Sequence, residues 1–398
     1  MLLSLSILLL FGFFLGALFR KLKMPGLVGM LLSGIMLGPY GLNILEESLL
    51  SFSADFRQVA LLIILARAGL SLQLKDLKKV GRSAVLMSFL PACFEMLGTI
   101  LLAPLLFDIP LLDAALLAAV IASASPAVIV PRMLHLMENG YGTKKSIPQL
   151  ILAGDSIDDV FNIVVFTALL SLSGKGEISV SSFFTLPVSV LSGVLVGVVS
   201  GYLLSFLFEK VHFRASLKLL ILLSISIFLS ALEGKLENIF SFSGLLAVMA
   251  MGAVIVRKSP TSAEKISNKL SKLWIGAEIL LFSLVGASVN LSTVSFSGPR
   301  TILLLLLILL MRAVGIYCCL LKTSLNKKER LFCMLSGIPK ATVQAAIGGI
   351  PLSLGLPFGE LILSIAVISI LFTAPTGAFL LDISYKRLLG EKTKGENK

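Results

Sequence analysis

The sequence predicts an all-α protein that crosses a lipid bilayer about thirteen times. Of its 398 residues, 57% are hydrophobic and only 14% are charged, and the mean hydropathy is +1.00. A soluble chain of this length would form two or three domains joined by polar linkers, but the longest internal polar stretch, 257–272, is too short for a domain. The net charge of +12 would suit nucleic acid or an anionic membrane surface, and the positions of the charges favour the membrane. We therefore expect a lipid bilayer, and no nucleic acid, as partner.

Apolar segments long enough to cross the hydrocarbon core, about 20 residues each, recur along the whole chain. The first has no basic residues before it, while Arg20, Lys21 and Lys23 follow it, so we expect an uncleaved span rather than a signal peptide. The predicted spans are 2–19, 25–43, 57–74, 83–107, 111–136, 148–172, 182–208, 214–232, 241–257, 273–290, 299–321, 330–352 and 359–383.

Basic residues concentrate in alternate loops between these spans. Only Arg57, Lys175, Lys235 and Arg300 lie in the opposite loops. Since cytoplasmic loops carry an excess of Lys and Arg, the pattern predicts an outside N-terminus and a cytoplasmic tail, 386–398, in a cytoplasmic membrane. The loops predicted to face the cytoplasm cover 20–23, 75–82, 132–145, 210–218, 257–272, 322–330 and 386–398.

The sixth span carries two adjacent carboxylates, Asp158 and Asp159, about 10 residues in, at midplane depth. Asp155 lies one turn earlier and Asn162 one turn later, on the same helix face. A bare carboxylate in hydrocarbon costs at least ~2.5–3.5 kcal/mol, so acids at this depth usually line an ion or proton path. Charged residues predicted inside other spans include Arg67, Glu95, Glu278, Arg312 and Lys340.

Two similar segments, 62–74 and 279–291, indicate an internal repeat. Their alignment places Gly69 on Gly286 and, with the same offset of 217 residues, Glu95 on Arg312. The offset spans an odd number of predicted membrane crossings, so the halves run in opposite directions, as in the inverted repeats of secondary transporters. We predict a first half over 1–181, a linking helix over 182–208 and a second half over 209–385. A near-twofold axis would bring Glu95 and Arg312 together as an ion pair, with Lys340 the alternative partner for Glu95.

Two spans contain helix breakers at matching places in the two halves. Span five has Pro126 within Ala122–Ala127, and span twelve has Pro339 within Gly337–Gln344. Proline removes a backbone donor and disfavours helix in the residue before it. Such a pair of interrupted spans predicts a transporter binding site, although two kinked structural helices would give the same pattern. The freed carbonyls and hydroxyls would suit a dehydrated cation.

The motifs resemble those of the monovalent cation:proton antiporter superfamily, and within it the bacterial sodium/proton exchanger-like group related to the NHA-type exchangers. The resemblance extends from the second span to the twelfth. The Asp158-Asp159 pair and the Pro-Lys-Ala-Thr-Val-Gln run are the specific motifs. The matching segments are 29–40, 65–70, 125–131, 158–159, 277–282 and 339–346.

The resemblance implies the sodium/proton antiporter fold, with a core domain of two crossed, unwound helices and a second domain that forms a homodimer. It implies that Asp159 binds Na⁺ (or Li⁺) and protons alternately, and that Asp158 supports it through a basic partner, for which we expect Lys340. Ser123 and Ser125 would complete the oxygen shell that a hard cation requires. The chain would be a secondary antiporter rather than an enzyme, with ions as substrates and no cofactor.

One departure leaves the proton-to-cation ratio open. Strongly electrogenic relatives have a lysine where this chain has Arg312, and arginine does not release its proton in proteins. The role of Asp155 is likewise open. A potassium/proton exchanger and a non-transporting sensor of the same fold are alternatives. An intramembrane aspartyl protease is disfavoured because its two aspartates lie on separate helices, and a primary pump because no phosphate-binding loop is present.

Overall fold

The computed structural model describes residues 1–71, 81–173, 180–211, 213–236 and 242–390, and within these ranges it contains helices and no strand. The predicted loop residues Lys78 and Lys175, and the tail from residue 391 onward, lie outside the described residues. The helices are α1 (Leu2–Lys21), α2 (Gly26–Leu37), α3 (Glu47–Ser51), α4 (Ser53–Ser71), α5 (Arg82–Met87), α6 (Leu90–Phe107), α7 (Leu111–Ile121), α8 (Pro126–Glu138), α9 (Ile147–Ser173), α10 (Val180–Lys210), α11 (Ala215–Leu236), α12 (Gly244–Lys258), α13 (Pro260–Ala287), α14 (Leu291–Cys319), α15 (Lys327–Ser336), α16 (Thr342–Ile347), α17 (Ile350–Ser353) and α18 (Gly359–Leu388).

Eight helical stretches in the described ranges are long and apolar enough to cross a membrane. Further helices, among them α2, α4, α9 and α12, occupy other predicted spans. The chain is therefore a multi-pass membrane protein, as its composition predicts. The eight stretches are Leu2–Lys21, Arg82–Phe107, Leu111–Glu138, Leu191–Lys210, Ala215–Glu233, Pro260–Ala287, Ser297–Cys319 and Gly359–Leu388.

One predicted loop and two predicted spans differ from the observed helices. The polar stretch 257–272, expected as a loop, is mostly helical, because α13 begins at Pro260 and reaches Ala287. Proline suits the first turn of a helix, where no backbone donor is needed. The second span ends early, since α2 stops at Leu37 and Gly38 leaves the helical conformation. The fourth span is interrupted between α5 and α6 at Ser88 and Phe89.

One compact unit comprises 1–50, 74–163 and 282–398. Within it, α6 packs along α14, α1 along α2, and α18 against α14 and α15. Glycine permits a close approach between α2 and the end of α13, because a Cβ on Gly34 would lie 1.8 Å from the carbonyl oxygen of Ser283. The hydroxyls of Ser33 and Ser283 are 3.0 Å apart at the same crossing.

The second compact unit comprises 51–73 and 164–281. In it, α12 packs against α4, α10 and α11. A Cβ on Gly197 would lie 2.2 Å from the carbonyl oxygen of Ala247, and one on Gly69 would lie 2.4 Å from that of Met249. Small residues at such crossings let membrane helices approach backbone to backbone.

Both predicted interruptions are present in the first unit. Helix α7 ends at Ile121 and α8 begins at Pro126, while α15 ends at Ser336 and α16 begins at Thr342. Pro126 starts its helix, and Pro339 lies in the non-helical segment. The two breaks touch, because the Ser125 backbone N–H donates to the Pro339 carbonyl over 2.8 Å. Unwound backbone from two helices therefore meets inside the protein, where its polar groups need partners.

Candidate ion-binding site

Helix α9 carries the midplane acids to the first break. The Asp158 side chain is fully buried, and its carboxylate accepts from the Ala124 backbone N–H over 3.0 Å. The amide of Asn162, one turn later, donates to the Asp158 carbonyl over 2.7 Å. Asp158 thus satisfies a donor that the interruption of the helix leaves free.

Asp159 reaches the same break through a side chain. Its carboxylate accepts a hydrogen bond from the Ser123 hydroxyl. The Ser123 carbonyl in turn accepts from the Gln344 side-chain amide over 2.9 Å, and the Ile121 carbonyl accepts from the same amide at 3.4 Å. Asp159 is therefore connected to the second interrupted span through Ser123 and Gln344.

A buried network of charges lies beside these acids. Arg312 Nη1 lies 3.0 Å from Glu95 Oε2, and Arg312 Nη2 lies 2.7 Å from Asp158 Oδ2. Arg312 Nη1 also donates to the Ala122 carbonyl at the end of α7. Lys340 Nζ lies 2.6 Å from Glu95 Oε1, and all four side chains are at most 3% exposed.

The predicted ion pair of Glu95 and Arg312 is present, and Lys340 joins Glu95 as well. The expectation that Lys340 compensates Asp158 is wrong, because Arg312 holds that carboxylate. The physical reason is the shape of the two cations. A guanidinium offers five donors in a planar fork and can bridge two carboxylates and a carbonyl, whereas an ammonium is a compact point charge.

Several buried oxygens at the crossing have no hydrogen-bond partner. They are Ser125 Oγ, Asn162 Oδ1, Thr342 Oγ1 and Gln344 Oε1. Buried polar atoms are rarely left unpaired unless an ion, a water or a moving part satisfies them. Hydroxyl, amide and carboxylate oxygens are the ligands that hard cations prefer.

The sequence predicts Ser123 and Ser125 as site residues, but it does not predict the contacts of Gln344 and Thr373. The Thr373 hydroxyl accepts from the Lys340 backbone N–H over 3.0 Å, which satisfies a donor at the second break. Gln344 lies within a motif segment and is fully buried. Its position, an amide side chain a few residues beyond a mid-membrane proline, is the signal that could have identified it.

These features define a secondary transporter for cations: a multi-pass helical membrane protein in which two interrupted helices meet beside a buried carboxylate. The sequence model of the transmembrane sodium/hydrogen exchanger family matches residues 6–382, and the chain belongs to that family. It is 31% identical to human sodium/hydrogen exchanger 9B2 over 395 residues, covering 94% of this chain and 71% of that protein. It is 30% identical to human sodium/hydrogen exchanger 9B1 over 380 residues, covering 92% and 73%.

The fold is that of a solved antiporter. The structure of the sodium proton antiporter MjNhaP1 from Methanocaldococcus jannaschii at pH 8 superposes with a TM-score of 0.82 at 21% identity, covering 97% of this chain and 98% of that one. The chain is thus a member of the monovalent cation:proton antiporter superfamily and carries out cation/proton antiport. It is a transporter rather than an enzyme, and its substrates are ions, so no cofactor is involved.

Proposed function

We propose that the chain exchanges Na⁺ or Li⁺ for protons, with Asp159 as the carboxylate that binds the transported ion. One observation carries this proposal: Asp158 is held by Arg312, whereas Asp159 forms no ion pair with any described Lys or Arg and accepts a hydrogen bond from the Ser123 hydroxyl at the break. An acid without a fixed countercharge is available to a proton or a cation. As further oxygen ligands we assign the hydroxyl of Ser123, which donates to Asp159, and that of Ser125, which is buried without a hydrogen-bond partner.

The exchange follows from competition at one carboxylate. Asp159 takes a proton or a cation, because both neutralise the same charge. The unloaded, charged site is penalised in hydrocarbon, while either loaded form is nearly neutral and can be exposed alternately to the two sides. The unwound segments around Pro126 and Pro339 supply carbonyls for a dehydrated cation.

The family and the names of the relatives support sodium as the cation, and small hard cations suit an all-oxygen site. We further propose that the protein lies in the cytoplasmic membrane as a homodimer, as the resemblance to the antiporter superfamily implies. The dimer predicts a protein mass in detergent, by light scattering, of twice 42.5 kDa.

The deciding experiment uses purified protein in liposomes that contain a pH dye, with sodium, lithium or potassium added outside. Asp159→Asn is expected to abolish sodium-dependent proton flux in protein that still folds, and Asp158→Asn to reduce it less completely. In the unaltered protein, more protons should raise the apparent KM for sodium roughly in proportion, with the maximal rate almost unchanged, since the two ions compete.

Asp113→Asn is the matched control, because Asp113 lies in the first turn of α7 rather than at the crossing. It should transport normally. Near-normal exchange by Asp159→Asn would disprove the assignment of Asp159. Proton flux with potassium alone would make the protein a potassium exchanger, and no flux with any cation would leave a sensor of the same fold.

A further inference from the structure

The buried charges at the helix crossing do not cancel. Arg312 and Lys340 are both used by Glu95 and Asp158, in an array of two cations and two anions. Two carboxylates remain beside this neutral array, Asp159 and Asp155. The site therefore has two uncompensated acids, although a single-carboxylate exchange needs only one.

Asp155 is a buried acid, only slightly more exposed than Glu95 and Asp158, which do have partners. Its residue is 6% exposed, and its Oδ2 atom is enclosed without a hydrogen-bond partner. It forms no ion pair with a Lys or Arg in the described part of the chain. Removing a carboxylate from water without a partner is costly, so a purely structural role would leave this acid unexplained.

Asp155 interacts electrostatically with the charged residues of the ion site. The charged and titratable groups that interact with it are Asp158 and Asp159 on α9, Arg312 on α14 and Cys333 on α15. Asp155 precedes Asp159 by four residues on one helix, so the two side chains lie one above the other on the same face. A cation bound at Asp159 favours the ionised form of a carboxylate one turn away, and an empty site favours its protonated form.

We propose that Asp155 is the second proton carrier of the exchange, so that two protons are exchanged for each cation. This rests on the proposed role of Asp159. In the proton-loaded state both acids hold a proton and the pair is neutral. Cation binding releases both protons, one from the Asp155 carboxyl group and one from that of Asp159. It leaves two carboxylates with one cation, a net charge of −1. Each cycle then moves one charge across the membrane, although Arg312 keeps its proton throughout.

The first test counts protons in the unaltered protein. In a weakly buffered detergent solution with a pH indicator, saturating NaCl should release two protons per bound sodium ion, and Asp155→Asn should release one. Release of a single proton by the unaltered protein would overturn the proposal without any variant having to fold.

The second test measures the coupling ratio in liposomes at clamped potential. At zero potential, a tenfold sodium gradient is balanced by about 0.5 pH unit for two protons and about 1 unit for one, since free energy follows the logarithm of each ratio. The unaltered protein and the Asp113→Asn control should balance at the smaller value and respond to membrane potential. Asp155→Asn should balance at the larger value and ignore the potential.

The outcomes separate this inference from the proposed function. Sodium-dependent exchange with a ratio of one in the unaltered protein would refute the role of Asp155 and leave that of Asp159 intact. A ratio of two that persists in Asp155→Asn would place the second proton elsewhere and also refute it. Normal sodium exchange in Asp159→Asn would refute both the role of Asp159 and the role of Asp155 that rests on it.

Discussion

At the scale of single residues, Glu95 is the residue whose loss should destabilise the fold most, because both buried cations are bound to it. Glu95→Gln leaves Lys340 without an ion pair and Arg312 with Asp158 alone. Removing one member of a buried pair costs roughly 3–5 kcal/mol. We therefore expect a large drop in the thermal unfolding temperature with a much smaller change in the apparent KM for sodium.

Glu360→Gln is the comparison for this variant, since Glu360 accepts a single hydroxyl bond from Thr293 over 2.8 Å. It should shift the unfolding temperature far less. If Glu95→Gln melted like the unaltered protein, the charge network would not be a stabilising element.

Gln344 gives a second prediction at this scale. Its amide holds the Ser123 carbonyl at 2.9 Å, while its Oε1 atom is buried and unpaired beside the break. Loss of one such hydrogen bond costs about 1 kcal/mol or somewhat more, so Gln344→Leu should raise the apparent KM for sodium by roughly tenfold. Gln58→Leu removes a 2.9 Å bond to Ser230 in the second unit and should leave the KM unchanged. Equal KM values in the two variants would contradict a role for Gln344 at the ion site.

The sequence identifies candidate site residues more readily than it predicts their contacts. Asp158 and Asp159 could be found because carboxylates are rare at midplane depth. Their different partners could not, because adjacent residues on a helix point about 100° apart and the neighbours they meet depend on the fold. The pairing of Arg312 with Asp158 could not be predicted either, because it depends on how far each cationic side chain extends in the folded protein.

At the scale of helices, proline marks both interruptions of the crossing, whereas no breaker in the sequence marks the break between α5 and α6. Its boundary residues, Ser88 and Phe89, carry no breaker of their own, and Pro91 lies just inside α6, where proline is tolerated. The start of α13 is hidden for a different reason, the polarity of its first residues. Its polar first half resembles a loop in hydropathy, although its residues continue one helix into the membrane.

Two glycines on α13 test helix packing in one element. A Cβ on Gly286 would lie 2.1 Å from the Leu31 carbonyl oxygen, whereas one on Gly276 would meet nothing within 4 Å. Gly286→Ala should push α2 away and lower the unfolding temperature. Gly276→Ala should leave it unchanged or raise it, since alanine favours helix over glycine by about 1 kcal/mol. Fluorescence-detected size exclusion after heating measures both, and equal behaviour would disprove the close contact.

At the scale of the whole chain, we propose that 1–181 and 209–385 are the two halves of an inverted repeat, linked by 182–208 within α10. The helix order supports this, because α7, α8 and α9 are followed, about 217 residues later, by α15, α16 with α17, and α18. Two close glycine contacts also correspond in the two halves. Gly69 approaches the backbone of Met249, and Gly286, its equivalent in the repeat, approaches the backbone of Leu31. Each compact unit contains segments of both halves, which periodicity along the chain could not predict, because the grouping arises from contacts between distant residues.

The contacts at helix ends bear on the predicted sidedness. Lys145 pairs with Glu329 at 2.8 Å, which joins two loops predicted to face the cytoplasm, and Arg132 pairs at 2.9 Å with Asp382, at the predicted cytoplasmic end of the last span. Elsewhere the N-terminal amino group contacts Glu46, where both partners are predicted to lie outside. Each of these three ion pairs joins chain segments that the basic residues assign to the same side of the membrane.

These sets predict opposite labelling at two exposed positions, Lys327 and Ser292. In a variant whose native cysteines are replaced by serine, we expect an impermeant maleimide to label Ser292→Cys on intact cells and Lys327→Cys only after the membrane is opened. The reason is that α14 crosses the bilayer from Ser292 in its first turn, while Lys327 lies beyond its other end, at the start of α15 in a basic segment. The reverse pattern would invert the whole topology. Labelling of both cysteines from outside would mean that α14 does not cross the membrane. The topology predicted from the alternating basic loops would then be wrong.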